Sequence, residues 1–576
     1  MFRRLSIAVL LAVVPTGAAH AQGSDRTLLM PGVSYTRQVE FTPHGPVVLH
    51  IVNAPKPGGL YSLLPLLSNN AIVGRERVTE MERRISSSVT VAGVNGDLFN
   101  AHDGHPSGVL IQNGVLEHPP LPGRSSVGIG ADGSLHVNRV AYNGYWHGTG
   151  QRRSVGLNEL ASANGVSLFT PAWGPRTPGT TSVEAIVRPF PAATPNTDLV
   201  GVVTQISSTQ GSTPIPPDGA VLQARGSGAA KLAAEAPVGT QVTVRLALTP
   251  TWDGIVNALG GGPVIVRDGK PVFRANEMFS ASQLSPRNPR TAVGQRADGR
   301  ILLVAVDGRQ PGYSVGMTNF ELALALMQLG CVTASALDTG DSTTVAFDGQ
   351  LLNRPSDPGG EASVAEALVV AYAGVYAQAV SEPVLSPNGD GVAETQTLSY
   401  KIVRPSTVQA TLVGPGNVTV PIDAGARTTG VYRFTWTGKD AATGAVEPEG
   451  NWRFTVSATD DQAQTSTADR LFDLNNTLGS LAVQPSSLKL SKAGTRLSAA
   501  FTLARPAKVT VTVETANEIV VRVLARADLG AGTQTLTWNG RDGAGRLAFS
   551  GSYQVHVVAT NDLGRVDLRA PFRARR

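Results

Sequence analysis

The chain has 576 residues, 41% hydrophobic and 16% charged, with 48 Lys and Arg against 43 Asp and Glu for a formal net charge of +5. This length is too great for one core and predicts three or four domains, while so mild and scattered a charge gives no argument for nucleic acid as a partner. Beyond the first residues no apolar run reaches the roughly 18 to 20 residues of a membrane-spanning helix, and Cys331, the single cysteine, leaves no internal disulfide to hold a domain together.

The opening Met1-Phe2-Arg3-Arg4, the apolar stretch Leu5 to Val14 and Ala19-His20-Ala21 form the three parts of a secretory signal, with cleavage expected after Ala21. The mature chain is then exported, to a periplasm, a cell surface or the medium, with a charge of about +3 once two arginines are removed. Residues 22–59 alternate short apolar segments with prolines and predict a β-rich lead-in to the first domain. Residues 60–88 read as partly helical, with Glu76, Arg77, Glu80, Glu82, Arg83 and Arg84 on a solvated face.

A short strand from Thr90 delivers Asn95-Gly96-Asp97 into a turn. His102, Asp103 and His105 follow, a set that suits either a metal or a solvated loop. Residues 108–137 read as hairpins with Asn113-Gly114 and Asp132-Gly133 turns, and residues 174–251 as a β-rich part of the same domain. Gly260-Gly261-Gly262-Pro263 then precedes Val264-Ile265-Val266; Gly269-Lys270-Pro271 lacks the glycine spacing and hydroxyl of a phosphate loop.

The central stretch is residues 290–361. Ile301 to Val306 reads as a buried strand ending at Asp307-Gly308-Arg309. Thr318 and Glu321 form a capping box for a helix with Leu322, Leu326 and Leu329 on one face and Gly330 as its stop. Val332 to Leu337 is again strand-like and ends at Asp338. Strand, helix, strand predicts a right-handed crossover between parallel strands, and if these are neighbours, about 4.8 Å apart, Asp307 and Asp338 leave the same sheet edge. Each aspartate is equally a plain turn former, and Cys331 reads as a small buried hydrophobe.

In order, Val94 to Phe99, Gly260 to Pro263, Arg290 to Gly294, Val306 to Arg309, Gly316-Met317-Thr318, Leu337 to Thr344 and Asn353 to Asp357 resemble the motifs of the phosphodiester glycosidase family, over roughly residues 60–375. The resemblance implies hydrolysis of a sugar-1-phosphodiester at its glycosidic bond. It makes Asp97, Asp307, Asp338 and Glu361 the candidate catalytic carboxylates, with nucleophile and base unassigned among them. Arg290 and Arg309 become candidates for the phosphate, because a guanidinium offers a bidentate fork. Asn95, Ser342, Thr343 and Asn353 become hydrogen-bonding partners of the substrate. Two departures stand out. Thr339 and Asp341 replace the family's glycines, bringing side chains and a negative charge, and Ala362 follows Glu361 where the family has arginine. They support an alternative: a catalytically impaired surface module that binds anionic glycan or glycan-phosphate.

From about residue 380 the chain turns to Thr- and Val-rich alternation with an internal repeat. Arg404-Pro405 recurs as Arg505-Pro506, Thr435-Trp436 as Thr537-Trp538, and Gly450-Asn451-Trp452 as Gly551-Ser552-Tyr553. A period of about 100 residues is the size of an immunoglobulin-like sandwich. The copies resemble the immunoglobulin-like domains of the flagellar hook-capping family and give the chain a means of cell-surface association. Asn388 and Asp390, like Asp341 in the central stretch, are candidate cation ligands with Ca²⁺ the hard-donor choice; a simple turn explains the segment equally. Nothing in the sequence requires another cofactor. Trp436, Trp452 and Trp538 could line a sugar face or fill a core.

The expected organisation is therefore a signal (1–21), a lead-in (22–59), an α+β catalytic domain with a mixed sheet (60–378) and two all-β immunoglobulin-like sandwiches (379–475 and 476–576).

Overall fold

A computed structural model describes residues 23–491 and 494–576; the expected signal segment, 1–21, lies outside the described residues. The described residues divide into two compact units, one formed by 23–86 with 90–372, the other by 87–89 with 373–576. The protein is multidomain and strongly β-rich, with few helices.

In the first unit an eight-stranded sheet runs in the order Gly23–Met30, Val33–Thr42, Gly45–Ala54, Ile301–Val306, Arg290–Arg296, Cys331–Ala336, Val264–Arg267, Lys270–Pro271. Every pairing in it is antiparallel, which corrects the expected parallel neighbours; the unit's other eight-stranded sheet is mixed, with Gly156–Leu157 parallel to Val166–Phe169. Ile301–Val306 and Cys331–Ala336 do share a direction. They are not neighbours, because Arg290–Arg296 is inserted between them, with Arg290 opposite Val306 and Ala292 opposite Ala336. Asp307 and Asp338 thus leave the same sheet end two strand spacings apart, roughly 10 Å, with Arg290 starting the strand between them. A strand–helix–strand pattern reveals direction but not what occupies the gap. The lead-in residues supply three strands of this sheet, since Gly45–Ala54 pairs with Ile301–Val306.

The helix Asn319–Gln328 covers one face of the sheet. Thr318 Oγ1 accepts from the Glu321 amide at 3.2 Å and Glu321 returns an acceptor to the Thr318 amide at 2.9 Å, the expected capping box. Leu322 and Leu326 are buried in a core shared with Val304, Val306, Ala334 and Cys331. Burial pushes the Cys331 thiol up to about 12, which suits a packed hydrophobe and no thiolate.

Two five-stranded sheets complete the surroundings of the site. One places Thr90–Asn95 between Val345–Phe347 and Glu366–Tyr372; the other places Ile255–Gly260 between Leu110–Gln112 and Ser125–Gly130. Residues 61–67 form a strand, and the helix there is limited to Val78–Ile85. Within that helix Glu82 is fully buried and accepts from the Gly349 amide at 2.8 Å, so it does not belong to the solvated face.

In the second unit, residues 376–474 form a three-stranded and a five-stranded sheet around one core, and residues 478–575 repeat the arrangement around another. Trp436, Trp452 and Trp538 are all buried in these cores, which removes them as a sugar-binding face.

Candidate active site

Asp97, Asp338 and Glu366 converge where the sheets meet. Asp97 follows the Thr90–Asn95 strand, and Glu366 opens the adjacent strand, where Ala367 pairs with Asn95. The Asp97 amide donates to Glu366 Oε1 at 3.1 Å, and the Asp338 amide donates to the Gly96 carbonyl at 3.0 Å. Arg124 reaches in from the turn before Ser125–Gly130. Its Nη2 donates to Asp97 Oδ1 at 2.5 Å and to the Gly261 carbonyl at 2.9 Å, and its guanidinium lies 4.8 Å from the Phe279 ring. The backbones must approach closely here: a Cβ on Gly260 would lie 2.0 Å from Asp97 Oδ2. That is the physical reason for glycine at the start of Gly260-Gly261-Gly262.

The three carboxyls are buried and poorly satisfied. Asp97 Oδ2 and Glu366 Oε2 have no hydrogen-bond partner among the described residues. Burial, reinforced by the charge of Asp97, pushes Glu366 up to about 8. Burial likewise pushes Asp338 up to about 7, against the opposing hydrogen bonds from Ser342 and the Thr339 amide. Asp97 is also raised by burial, with Arg124 acting in the other direction. Carboxyls gathered in low dielectric hold protons because ionising all of them together is costly.

Asp307 has the opposite surroundings. His50 Nε2 lies 2.9 Å from its Oδ2, Tyr313 donates to Oδ2 at 3.0 Å, Asn353 Nδ2 to Oδ1 at 3.0 Å, and the Arg354 amide lies 3.2 and 3.3 Å from the two oxygens. A carboxylate only accepts, so the His50 proton is on Nε2, leaving Nδ1 facing the Tyr35 hydroxyl at 2.7 Å. Asn353 also donates to the Thr343 carbonyl and accepts from the Val345 amide. Asn95 Nδ2 donates to the Asp338 carbonyl while its Oδ1 accepts from Thr291 and the Thr344 amide. Asp307, Asn353 and Asn95 therefore hold the 338–344 loop in place.

Arg290 is 1% exposed and has no carboxylate partner among the described residues. Its Nε donates to the Met317 carbonyl, Nη1 to Gln283, and Nη2 to Leu284 and Pro286, so one of its five N–H groups is unused. Burial, with Arg309 nearby, lowers it to about 10. Arg290 and Asp338 line one narrow cavity with Leu98, Phe279, Asn319 and Thr339.

Arg309 sits apart from this cavity wall. It is 46% exposed, donates to Asn288 Oδ1 at 3.0 Å and pairs with Asp341 at 2.9 Å; Ser356 also donates to Asp341. The negative charge at position 341 is thereby met within the chain. Positive φ in this loop is confined to Gly340 (+77°), while Thr339 is extended at −130°, so losing the flanking glycines brings no backbone strain. Ser342 bonds to Asp338; the Thr343 hydroxyl is buried without a partner among the described residues.

Glu361 is positioned elsewhere: Thr79 engages both its oxygens, through its amide at 2.9 Å and its hydroxyl at 2.7 Å, at the start of the Val78–Ile85 helix. A carboxylate there stabilises the helix terminus, and the motif pattern alone could not separate that role from catalysis. Among the described residues no group of three or more His, Cys, Asp or Glu is arranged to hold a metal. Asn388 Oδ1 and Asp390 Oδ1 accept from the amides of Asp390 and Val392, as turn-forming side chains do. Asp103 is paired with His105 at 2.6 Å, and this loop is partly exposed.

Glu366, Arg124 and His50 were not among the sequence candidates. Glu366 had a readable signal, a carboxylate at the head of the apolar run 366–372. Arg124 and His50 had none, since their partners lie 27 and 257 positions away.

Residues 195–371 match the phosphodiester glycosidase family model. Residues 486–562 match that of the FlgD Ig-like domain. The phosphodiester glycosidase match includes Arg290, Asp307, Asp338 and Glu366, while Asn95, Asp97 and Arg124 precede it. A curated relative, the SPbeta prophage-derived uncharacterized protein YomE of Bacillus subtilis (strain 168), is 35% identical over 119 residues, 21% of this chain and 18% of that protein. A crystal structure of a hypothetical protein from Synechocystis is 27% identical with a TM-score of 0.50, covering 59% of this chain and 62% of the other. The catalytic domain of zebrafish N-acetylglucosamine-1-phosphodiester alpha-N-acetylglucosaminidase, auto-inhibited by its pro-peptide, is 15% identical with a TM-score of 0.31, covering 62% of this chain and 84% of that one. The chain thus spans less than two thirds of YomE and of the Synechocystis protein.

Proposed function

We propose that the protein is an exported glycoside hydrolase that cleaves a sugar-1-phosphodiester at its glycosidic bond, acting on cell-envelope or extracellular glycans. The observation that carries the reading is that one cavity is lined by a buried arginine without a counter-ion, Arg290, and a carboxyl poised near neutrality, Asp338. A phosphodiester would bring to such a cavity both a negative charge and an acetal carbon, and at about 40 Å³ the cavity admits them only when its lining side chains move apart.

In this reading the phosphate takes the open N–H of Arg290. The C1–O bond breaks, and the electron pair leaves with the phosphate, which becomes a phosphomonoester. Water supplies the new C1–O bond, and its proton is accepted at Asp338. A phosphate leaving group is a weak base, so a strong general acid is not needed. Glu366 stays protonated near pH 7, which limits the charge beside Asp338; the Asp97 amide holds it in place through its Oε1. The charge of Asp341, which favoured a module without catalysis, is met by Arg309.

The test is release of free sugar from a panel of sugar-1-phosphodiesters by wild type and Asp338→Asn. Loss of a proton acceptor at the reacting centre lowers kcat by about 10²–10⁴. Equal turnover by the variant would overturn the role of Asp338, and no turnover by wild type on any member would overturn the hydrolase.

A further inference from the structure

The small net charge conceals a segregation, so the charge is not scattered after all: residues 476–576 contain 14 Lys and Arg against 6 Asp and Glu, whereas residues 379–475 contain 7 against 11. The strand Gly564–Arg575 shows where the excess lies. Val566, Leu568, Phe572 and Ala574 point into the core. Alternation therefore sets Arg565, Arg569, Arg573 and Arg575 on the outer face, all exposed. Register adds Lys489, level with Arg575 on one neighbour, Lys508, opposite Thr560, and Arg526, opposite Thr510. Of the carboxylates on this face, Asp567 is engaged by His556 and Arg569, and Glu514 by His556, while the exposed Asp528 lies opposite Lys508 and offsets that one charge. Arg526, Arg565, Arg573 and Arg575 have no carboxylate partner among the described residues.

The preceding repeat shows that the fold does not require this. In Thr465–Leu474 the core residues Ala468, Phe472 and Leu474 match Leu568, Phe572 and Ala574, and the outward positions are Thr465, Asp469 and Asp473, where the later strand has Arg565, Arg569 and Arg573. The inner face is kept and the outer face changes sign.

We propose that the outer face of the Ser487–Arg575 sheet binds the backbone of an anionic, phosphodiester-linked glycan polymer. Arginine forks suit phosphate oxygens. The arginines are spread along a strand, with Arg565, Arg569 and Arg573 about 13 Å apart in succession, which fits an extended chain better than a single small anion. Among the described residues no Trp, Tyr or Phe is on this face to stack bases, since Tyr553 and Phe572 point into the core, which argues against single-stranded nucleic acid. The choice of a phosphodiester glycan among polyanions rests on the hydrolase reading; the basic face does not.

The experiment measures binding of the full-length mature chain to poly(glycerol phosphate) bearing glucose side groups, a polymer without a sugar-1-phosphodiester bond, so that hydrolysis does not enter. Hyaluronate, neutral dextran and duplex DNA serve as comparators. The triple variant Arg565→Ser, Arg573→Ser, Arg575→Ser is expected to bind about tenfold or more weakly, and wild-type binding to weaken about tenfold or more between 50 and 200 mM salt. Arg573→Ser alone is expected to lose a few-fold, and Arg433→Ser with Arg453→Ser, in the acidic repeat, to leave binding unchanged. Absence of wild-type binding, equal binding by the triple variant with an unchanged melting temperature, or tighter binding of DNA or hyaluronate would overturn the proposal. A failed turnover assay with intact polymer binding would count against the hydrolase alone.

Discussion

Two sets of buried carboxylates are treated in opposite ways, although Asp307 and Asp338 leave the same end of one sheet and Asp97 and Glu366 belong to another. Asp307 is met by His50, Tyr313, Asn353 and the Arg354 amide. The Asp97, Asp338 and Glu366 set shares one arginine and leaves two oxygens bare. Burial is similar, so the difference lies in the donors. A satisfied carboxylate acts as a fastener, because removing it strands its partners. An unsatisfied one is held in an unfavourable state that only surrounding structure can maintain, the condition under which a carboxyl takes up and releases protons near neutrality.

The most severe way to break this contrast is to make the same change on both sides. Asp338→Asn is expected to remove activity, as above, and to leave the melting temperature unchanged or higher, since a neutral amide replaces a carboxyl already resisting ionisation. Asp307→Asn is expected to reduce stability by on the order of 3 kcal/mol, because its new N–H groups would face the donors His50 and Asn353. Chemical denaturation of both variants measures the contrast, and a larger stability loss in Asp338→Asn would reverse it.

The pH dependence sharpens it. Glu366 and Asp338 have folded-state values above those of an exposed carboxyl, at about 8 and about 7. Their folded forms retain protons that the unfolded chain has released. Their contribution to stability is therefore complete below the ordinary carboxyl range and is lost as pH rises through about 7 to 8. Melting temperature is expected to fall between pH 5 and 9, and Glu366→Gln to flatten that fall. An unchanged slope in Glu366→Gln would show that this carboxyl ionises normally.

What could be read from the sequence follows range. The Asn319–Gln328 helix was legible because its cap, apolar face and glycine stop are all local. The repeat was legible because buried aromatics recur at fixed spacing. The antiparallel order of the site sheet was not, since the strand between Ile301–Val306 and Cys331–Ala336 comes earlier in the chain. Family motifs brought Asp97, Arg290, Asp307 and Asp338 together, but they could not distinguish a carboxylate that caps a helix, Glu361, from one that faces a cavity. Arg124 and His50 become visible only through partners that the fold supplies.

The smallest expected effect concerns Arg309 and Asp341, the exposed pair at the rim of this contrast. An exposed ion pair contributes little, so Arg309→Ala is expected to change stability by no more than about 0.5 kcal/mol. Its consequence should be electrostatic. Asp341 would be left unpaired near the loop that carries Asp338, and an anionic substrate approaching it would be repelled. The apparent KM for a sugar-1-phosphodiester is then expected to rise several-fold in Arg309→Ala, with kcat changing less and the defect shrinking as salt screens the charge. Arg309→Ala combined with Asp341→Ala should restore KM if the unpaired charge is the cause. A KM that stays high in the double variant would instead make Arg309 a direct ligand of the phosphate, and the pair would then belong with the working carboxylates rather than with the fasteners.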